Sequence, residues 1–279
     1  MLMNRNIVGL YFSPCGTTKT VVDTLARAIA KVVGGGDYFS VDLTSFDDRR
    51  GVYEFSEEDV VIIGCPTYAG RVPNKIAPYF AESIFGDGAV GIAVSTYGNR
   101  AYDDSLKELV DIMSKNDFAV VSALAVVAEH AFTDKLATGR PTAEDIAKLE
   151  ELGERIGKMI ASGKIAPLTL SSLPGREPEE MQYYRPKKDN GEPANFLAAK
   201  VVTDTQKCDG CGECREICPM GCFRESVSEP TGTCIKCQAC VKRCPNGAKS
   251  FEDEEFLSHV RNLEANYADT VNNIESFGI

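Results

Sequence analysis

Over the first 162 residues two hydrophobic patterns alternate. Short, nearly continuous apolar runs occur at Asn6 to Phe12, Asp37 to Asp42, Val60 to Cys65, Val90 to Ser95 and Ala119 to Val127. Between them, apolar positions return every three or four residues, roughly over Thr18 to Val33, Asn74 to Ser83, Asp103 to Asn116 and Thr142 to Ser162. The runs read as strands and the intervening stretches as helices. Such alternation predicts an α/β fold with parallel strands and crossover helices. Val60 to Ile63 and Val120 to Val127 are apolar almost throughout, as strands covered on both faces must be, which predicts a doubly wound sheet. The last helix carries its own boundaries. Thr142 stands three residues before Asp145; Ile146, Leu149, Ile156 and Ile160 form the stripe, and Gly163 follows.

From Gly163 to Gln206 the periodicity is lost, and Pro167, Pro174, Pro178, Pro186 and Pro193 punctuate a stretch longer than ordinary connections. Its charges cancel and it carries Met181, Tyr183, Tyr184 and Phe196, a composition that suits a segment wrapped on a surface better than a solvated coil. Beyond Phe251 an acidic run, Glu252 to Glu255, precedes Phe256, Val260, Leu263, Tyr267, Val271 and Ile274 at three- and four-residue spacing. This reads as an amphipathic helix, expected to dock on the protein's own body, with a partner-binding helix as the alternative. The chain then divides into 1–163, a linker or cover at 164–205, a cysteine segment at 206–251 and a terminal helix at 252–279.

Composition narrows the function. With 279 residues, 43% hydrophobic and 25% charged, the chain has the means to build a real core. Lys plus Arg total 30 against 41 Asp plus Glu, for a net charge of −11, which argues against nucleic acid or an anionic membrane as partner. No apolar run approaches the roughly 18 residues of a membrane span, and the N-terminus lacks the pattern of an export signal, so the expected location is the cytoplasm. In that reducing compartment the cysteines, all but Cys15 and Cys65 of them lying between Cys208 and Cys244, read as metal ligands rather than disulfides.

Those cysteines form a repeat. Cys208, Cys211, Cys214 and Cys218 recur as Cys234, Cys237, Cys240 and Cys244, and Pro219 and Pro245 repeat with them, giving CDGCGECREICP and CIKCQACVKRCP. Zinc also uses C-x2-C pairs, but gives no reason for a triplet plus Cys-Pro occurring twice. The repeat resembles the bacterial ferredoxin run, in which three cysteines hold one 4Fe-4S cluster and the fourth reaches across to the other. The resemblance implies one cluster on Cys208, Cys211, Cys214 and Cys244, and a second on Cys234, Cys237, Cys240 and Cys218. Cys222 falls outside the pattern, where the other half has Ala248, and is expected in the core. Lys236, Lys242, Arg243 and Lys249 crowd the second half, while Asp209, Glu213 and Glu216 sit in the first. If these charges face their nearest clusters, the second cluster is the easier to reduce; otherwise they are ordinary surface charges.

Three loops carry further chemistry. The first strand ends in SPCGTTKT, the third runs into PTYAGRVP and the fourth into STYGNRAYDD. The first resembles the hydroxyl-rich phosphate loop of flavodoxins, where backbone amides at a helix N-terminus surround a phosphate. The other two match in position the loops that hold the isoalloxazine ring. The resemblance implies FMN in a five-stranded sheet of order 2-1-3-4-5, with the phosphate on Ser13, Gly16, Thr17 and Thr18 and on the amide of Cys15, which replaces the usual hydroxyl. Around the ring it implies Pro66, Thr67, Tyr68, Gly70 and Arg71 from one loop, and Thr96, Tyr97, Gly98, Asn99 and Tyr102 from the other. The chain departs from ordinary flavodoxins in having no Trp and in placing Arg71, Lys75 and Arg100 here, cations expected to favour an anionic reduced flavin. His130, after the fifth strand, is a candidate catalytic proton donor, or else a residue that caps or packs. Cys65 is expected in the core. Neither a G-x-G-x-x-G turn nor a Walker A loop occurs, so nothing suggests a dedicated nicotinamide or nucleoside triphosphate site.

Nearly the whole chain thus resembles ferredoxins with an N-terminal flavodoxin domain, found in anaerobic metabolism. The resemblance implies an iron-sulfur flavoprotein that passes electrons between two 4Fe-4S clusters and FMN for a redox protein partner. A reductase acting on a small molecule bound over the flavin is the second reading, and a redox sensor the third. A cavity beside the ring favours the reductase and an open ring edge the carrier.

Overall fold

In the computed structural model, which describes residues 5–33 and 36–279, the first apolar run becomes strand β1 (Asn6–Tyr11) and leads into helix α1 (Thr17–Val33). Strand β2 (Phe39–Asp42) follows, then a two-residue strand β3 (Tyr53–Glu54), β4 (Asp59–Pro66), α2 (Ala77–Ser83) and the short β5 (Ile84–Phe85). The α/β part continues with β6 (Val90–Tyr97), α3 (Ser105–Lys115), β7 (Ala119–Val127) and α4 (Ala143–Ala161). Each expected strand and helix is present, with ends shifted by a few residues. The parallel pair β3–β5 was not anticipated, because two residues carry no period to read.

Strands β2-β1-β4-β6-β7 lie side by side and parallel, which is the 2-1-3-4-5 order of the five long runs. Alternate residues feed two cores, as a doubly covered sheet requires. Leu10, Phe12 and Ile63 meet Leu106 and Leu109 of α3 on one face. Ile7, Val60 and Ile62 meet Leu25, Ile29, Leu152 and Ile156 of α1 and α4 on the other. The two helices approach closely because α4 carries Gly153 there: a Cβ at that position would lie 2.6 Å from that of Ala28. The start of α4 is the expected capping box of Thr142 and Asp145.

The cysteine-rich part is built on an antiparallel pair, β8 (Val202–Thr203) with β9 (Lys249–Ser250), and on two four-residue helices, α5 (Glu213–Glu216) and α6 (Ala239–Lys242). Helix α7 (Glu254–Tyr267) follows, capped by Asp253. Here the sequence expectation needs correction. The terminal helix stops at Tyr267, and the chain ends in a strand, β10 (Glu275–Phe277), that pairs antiparallel with β7. The sheet therefore has six strands instead of five. Its outer edge at β7 would otherwise leave backbone groups unpaired, and those hydrogen bonds outweigh continuing the apolar stripe: Val271 is 85% exposed, whereas Phe277 packs on the sheet.

Residues 164–205 make contacts with both the α/β part and α7. Leu168 N–H donates to the Val120 carbonyl, Arg176 pairs with Asp104, Tyr184 N–H donates to the Ala69 carbonyl and Asp189 N–H to Ser258 Oγ. The segment thus straps the carboxyl edge of the sheet to α7. Among the described residues no helix is long and apolar enough to cross a membrane.

Candidate functional site

The eight repeated cysteines stand around two cavities. Cys208, Cys211, Cys214 and Cys244 line the outer one, with Asp209, Val227 and Lys249. Cys218, Cys234, Cys237 and Cys240 line the inner one, with Cys222 and Ile235. Each cavity therefore gathers three thiols from one run and the fourth from the other. The crossing follows from local geometry: α5 begins at Gly212 and α6 at Gln238, both with positive φ, so each run curls over its own cavity before the Cys-Pro step carries the last cysteine away. Among the described residues no three His, Cys, Asp or Glu side chains are grouped as they would be for one metal ion.

The donor set suits an anionic iron-sulfur group. Backbone N–H groups point at sulfur in symmetric positions, Cys222 N–H to Cys218 Sγ and Ala248 N–H to Cys244 Sγ, each at 3.3 Å. The Cys222 thiol and the N–H groups of Cys222, Met220 and Gly221 pull Cys218 down, while the pairing with Cys218 pushes Cys222 up. Burial raises Cys237, and pushes Cys240 up to about 12, so these thiols stay protonated until a metal displaces the proton. Cys222 is core, as expected, but borders the inner cavity.

The charge expectation holds for Lys236, which borders the inner cavity, and not for the other three cations. Arg243 pairs with Glu213 of the first half, and Lys242 with Glu129 of the α/β part. Lys236 donates to the carbonyls of Leu197 and Cys234, and Lys249 borders the outer cavity, the one built on the first run. Sequence proximity misassigned Lys249, because the Cys-Pro crossing returns the end of the second run to the outer cavity, whereas Lys236 borders the inner cavity, the one its own run builds.

The inner cavity seats on the carboxyl edge of the sheet. Cys15 donates its thiol hydrogen to the Cys237 carbonyl at 3.2 Å. Tyr68 packs against Ile217, Ile235, Cys237 and Ala239, and burial holds its phenol well above the usual range. Arg49 reaches the Pro219 carbonyl, next to Cys218.

The first loop fits one end of a flavin nucleotide. Gly16 has φ +88 with no atom within 4 Å of where a Cβ would stand, and Thr17 and Thr18 open the seventeen-residue helix α1. Two of the expected hydroxyls are turned inward, however. Ser13 Oγ accepts from Lys19 N–H, and the hydroxyls of Thr18 and Thr96 share a hydrogen bond. The cradle is thus one of backbone amides with Thr17.

The two ring loops are joined to each other. Asp104 N–H donates to the Gly70 carbonyl, and the Asp103 side chain fills the space beside Gly70. Pro66 ends β4, and Thr67 Oγ1 continues into a buried hydroxyl chain with Ser95 and Ser105. Tyr97 and Tyr102 pack on one another with centroids 5.3 Å apart, and Tyr102 donates to Glu275. Asn99 donates to the carbonyls of Tyr267 and Thr270, and Asn272 donates back to Asn99. The expected role of the cations is corrected as well. Arg71 forms a two-pronged ion pair with Glu108 at 2.6 and 2.7 Å, and Arg100 pairs with Asp103, so both charges are already matched, while Lys75 is exposed.

His130 reaches the same edge, where it packs and caps. It is walled in by Phe132, its Nδ1 accepts from Phe132 N–H, and a Cβ at Gly98 would strike its ring. Burial, then the nearby His259, pushes it down to about 3, which favours the neutral ring. The sequence reading also missed Glu108 and Asp104. Both are buried acids at the start of α3, where acidic residues ordinarily serve the helix dipole and give no sign of gripping Arg71 and Arg176. A cavity of about 440 Å³ lies beyond this loop, between Tyr97, Arg100, Tyr102, Arg176 and Glu275.

Comparison with known proteins supports an iron-sulfur assignment for the first cysteine run. A family of 4Fe-4S binding domains matches residues 201–224. An uncharacterised ferredoxin of Methanocaldococcus jannaschii is 32% identical over 59 residues, spanning 19% of this chain and 77% of that one. Among solved structures, a flavodoxin from the domain Archaea is 16% identical with a TM-score of 0.41, covering 55% of this chain and 96% of its own. An oxidised flavodoxin 2 from Bacillus cereus is 14% identical with a TM-score of 0.38, covering 57% and 99%. The α/β assignment rests on the strand order of this chain itself. With its cysteine runs and this ferredoxin match, the chain belongs to the ferredoxin family, its cluster-binding part following a flavodoxin-like α/β part.

Proposed function

We propose that the chain is an electron carrier holding two 4Fe-4S clusters, one in each cysteine cavity. The observation that carries this reading is the sorting of eight thiols into two crossed sets of four. When bound, each cluster supplies one-electron transfer. The chain's own residues set the direction of access. Cys211 is exposed at the outer cavity, where a redox protein can approach, while buried Cys237 and Cys240 keep the inner cavity away from solvent. Cys15 and Tyr68 then fix the inner cavity against the sheet edge, so that the α/β part reads the inner site and the partner reads the outer one. A reducing cytoplasm is the setting that keeps such thiols available.

FMN at the sheet edge is a second reading, favoured by the positive-φ turn at Gly16 that leads into the seventeen-residue helix α1. A flavin would let one-electron carriers feed two-electron chemistry. The 440 Å³ cavity has the size of a small-molecule site, which is what favours a reductase, although His130 does not border it.

Protein isolated without oxygen tests these readings. The expected result is eight irons and eight acid-labile sulfides per chain. Colourless protein, or four irons, overturns the two-cluster reading. Flavin in the same sample, lost in Gly16→Val with iron unchanged, supports the second reading, and its absence from the wild-type sample removes it.

A further inference from the structure

Lys249 is 4% exposed, yet none of the groups that hold it is a carboxylate. Its Nζ donates to Thr203 Oγ1 at 2.7 Å and to the Val227 carbonyl, and stands 4.2 Å from the centre of the Phe223 ring. A buried ammonium ion held only by neutral groups is costly, unless an anion lies close by. The space it borders is the outer cavity, walled by Cys208, Cys211, Cys214 and Cys244. Two carboxylates share that wall, and neither serves as its counter-ion: Asp209 is exposed and accepts from Cys211 N–H, and Glu213 pairs with Arg243.

The repeat sharpens this. Lys249 stands five residues after Cys244, and the residue five after Cys218 is Phe223, the ring beneath the Lys249 ammonium. The two halves therefore differ at matched positions: one supplies a buried cation where the other supplies an aromatic face. Buried charge acts through a medium of low dielectric, whereas water screens the acids on the rim.

We propose that Lys249 is the built-in counter-charge of the outer cluster and raises its reduction potential. This rests on the two-cluster reading. One electron from the redox partner adds one negative charge to the thiolate-bound cluster; no bond forms or breaks and no proton moves. A fixed positive charge favours that more negative state, so the outer cluster takes up an electron more readily than its four thiolates alone would allow.

The test is a redox titration followed by electron paramagnetic resonance, on anaerobic full-length wild type, Lys249→Met, Lys249→Gln and Lys249→Arg, with iron counted in each. Cys244→Ser and Cys218→Ser variants assign the signals. Lys249→Met and Lys249→Gln are expected to lose at least tenfold in the outer cluster's preference for the reduced state, about 59 mV for one electron, with a smaller change in the inner cluster and near-normal behaviour in Lys249→Arg. Loss of four irons in both neutral variants, with retention in Lys249→Arg, supports the same role. Full iron with unmoved potentials in the neutral variants overturns the proposal while leaving the two clusters in place, as does loss of iron in all three variants alike. A wild-type chain without iron on these cysteines instead overturns the two-cluster reading, and this proposal with it.

Discussion

The thiol of Cys15, in the loop after the first strand, donates to the backbone carbonyl of Cys237, 222 residues further on, at 3.2 Å. Burial pushes that thiol up to about 11, so at neutral pH it is a protonated donor and not a nucleophile. The loop that resembles a phosphate site is thereby tied to a thiol-bearing residue of the inner cavity.

Replacing Cys15 with Ala removes this donor and leaves the Cys237 carbonyl facing a gap. The expected loss is about 1 kcal/mol, and Cys15→Ser, which keeps a donor, loses less. Anaerobic urea unfolding of the iron-loaded protein measures both. Equal midpoints for wild type and Cys15→Ala would show that the contact contributes nothing to docking.

The crossed cavities predict which cysteine serves which site. Cys218→Ser is expected to disturb the cluster of the downstream triplet, Cys234, Cys237 and Cys240, and Cys244→Ser that of the upstream triplet. Iron content and the resonance signal remaining in each variant check this. If either substitution damages the cluster of its own triplet, the assignment of the fourth ligand is reversed.

The fold was legible wherever a long period existed. Val60 to Ile63 and Val120 to Val127 announced covered strands because both of their faces are buried, and the Thr142–Asp145 capping box fixed the start of α4. Val271 and Ile274 were not legible as they fold. Their helical spacing is local, whereas the pairing of Glu275 to Phe277 with β7 depends on an edge 150 residues away. The candidate site divides along the same line. The cysteine repeat was legible in its spacing, and the crossed sharing of the fourth cysteine came from the resemblance that the repeat carries. The matched charges of Arg71 and Arg100, and the closure of Gly70 on Asp104, came from tertiary contacts that no motif encodes.

Arg71 and Glu108 form a largely buried pair, with side chains 17% and 10% exposed, and Glu108 also accepts from Val72 N–H. Arg71→Gln strands a carboxylate in the interior and is expected to cost about 2 to 3 kcal/mol, somewhat below a fully enclosed pair. Adding Glu108→Gln should recover most of that loss, because the two side chains act as one unit. Denaturant unfolding of the two single variants and the double variant completes the cycle. A silent Arg71→Gln, or additive losses, would assign the arginine a task other than neutralising Glu108.

The two histidines predict how stability depends on pH. Burial, together with the nearby His259, holds His130 down to about 3, and burial lowers His259 as well, opposed by its contact with the Lys187 carbonyl. His130 stays neutral in the folded chain well below neutral pH and His259 is shifted in the same direction, whereas in the unfolded chain both take up protons below about 6.5. The unfolded state therefore binds more protons as the pH falls, and the stabilisation these sites provide is complete above that value and lost progressively below it. For His130 the slope approaches 1.4 kcal/mol per pH unit between about pH 6 and 4, since its folded form stays unprotonated across that window. Unfolding measured anaerobically from pH 7 to 5 should thus show falling stability in the wild type. The slope should be shallower by nearly one proton in His130→Gln, which removes the titrating ring. Carboxylates that titrate in the same range contribute equally to both proteins and cancel in the comparison. Parallel slopes would mean that His130 is protonated in the folded chain.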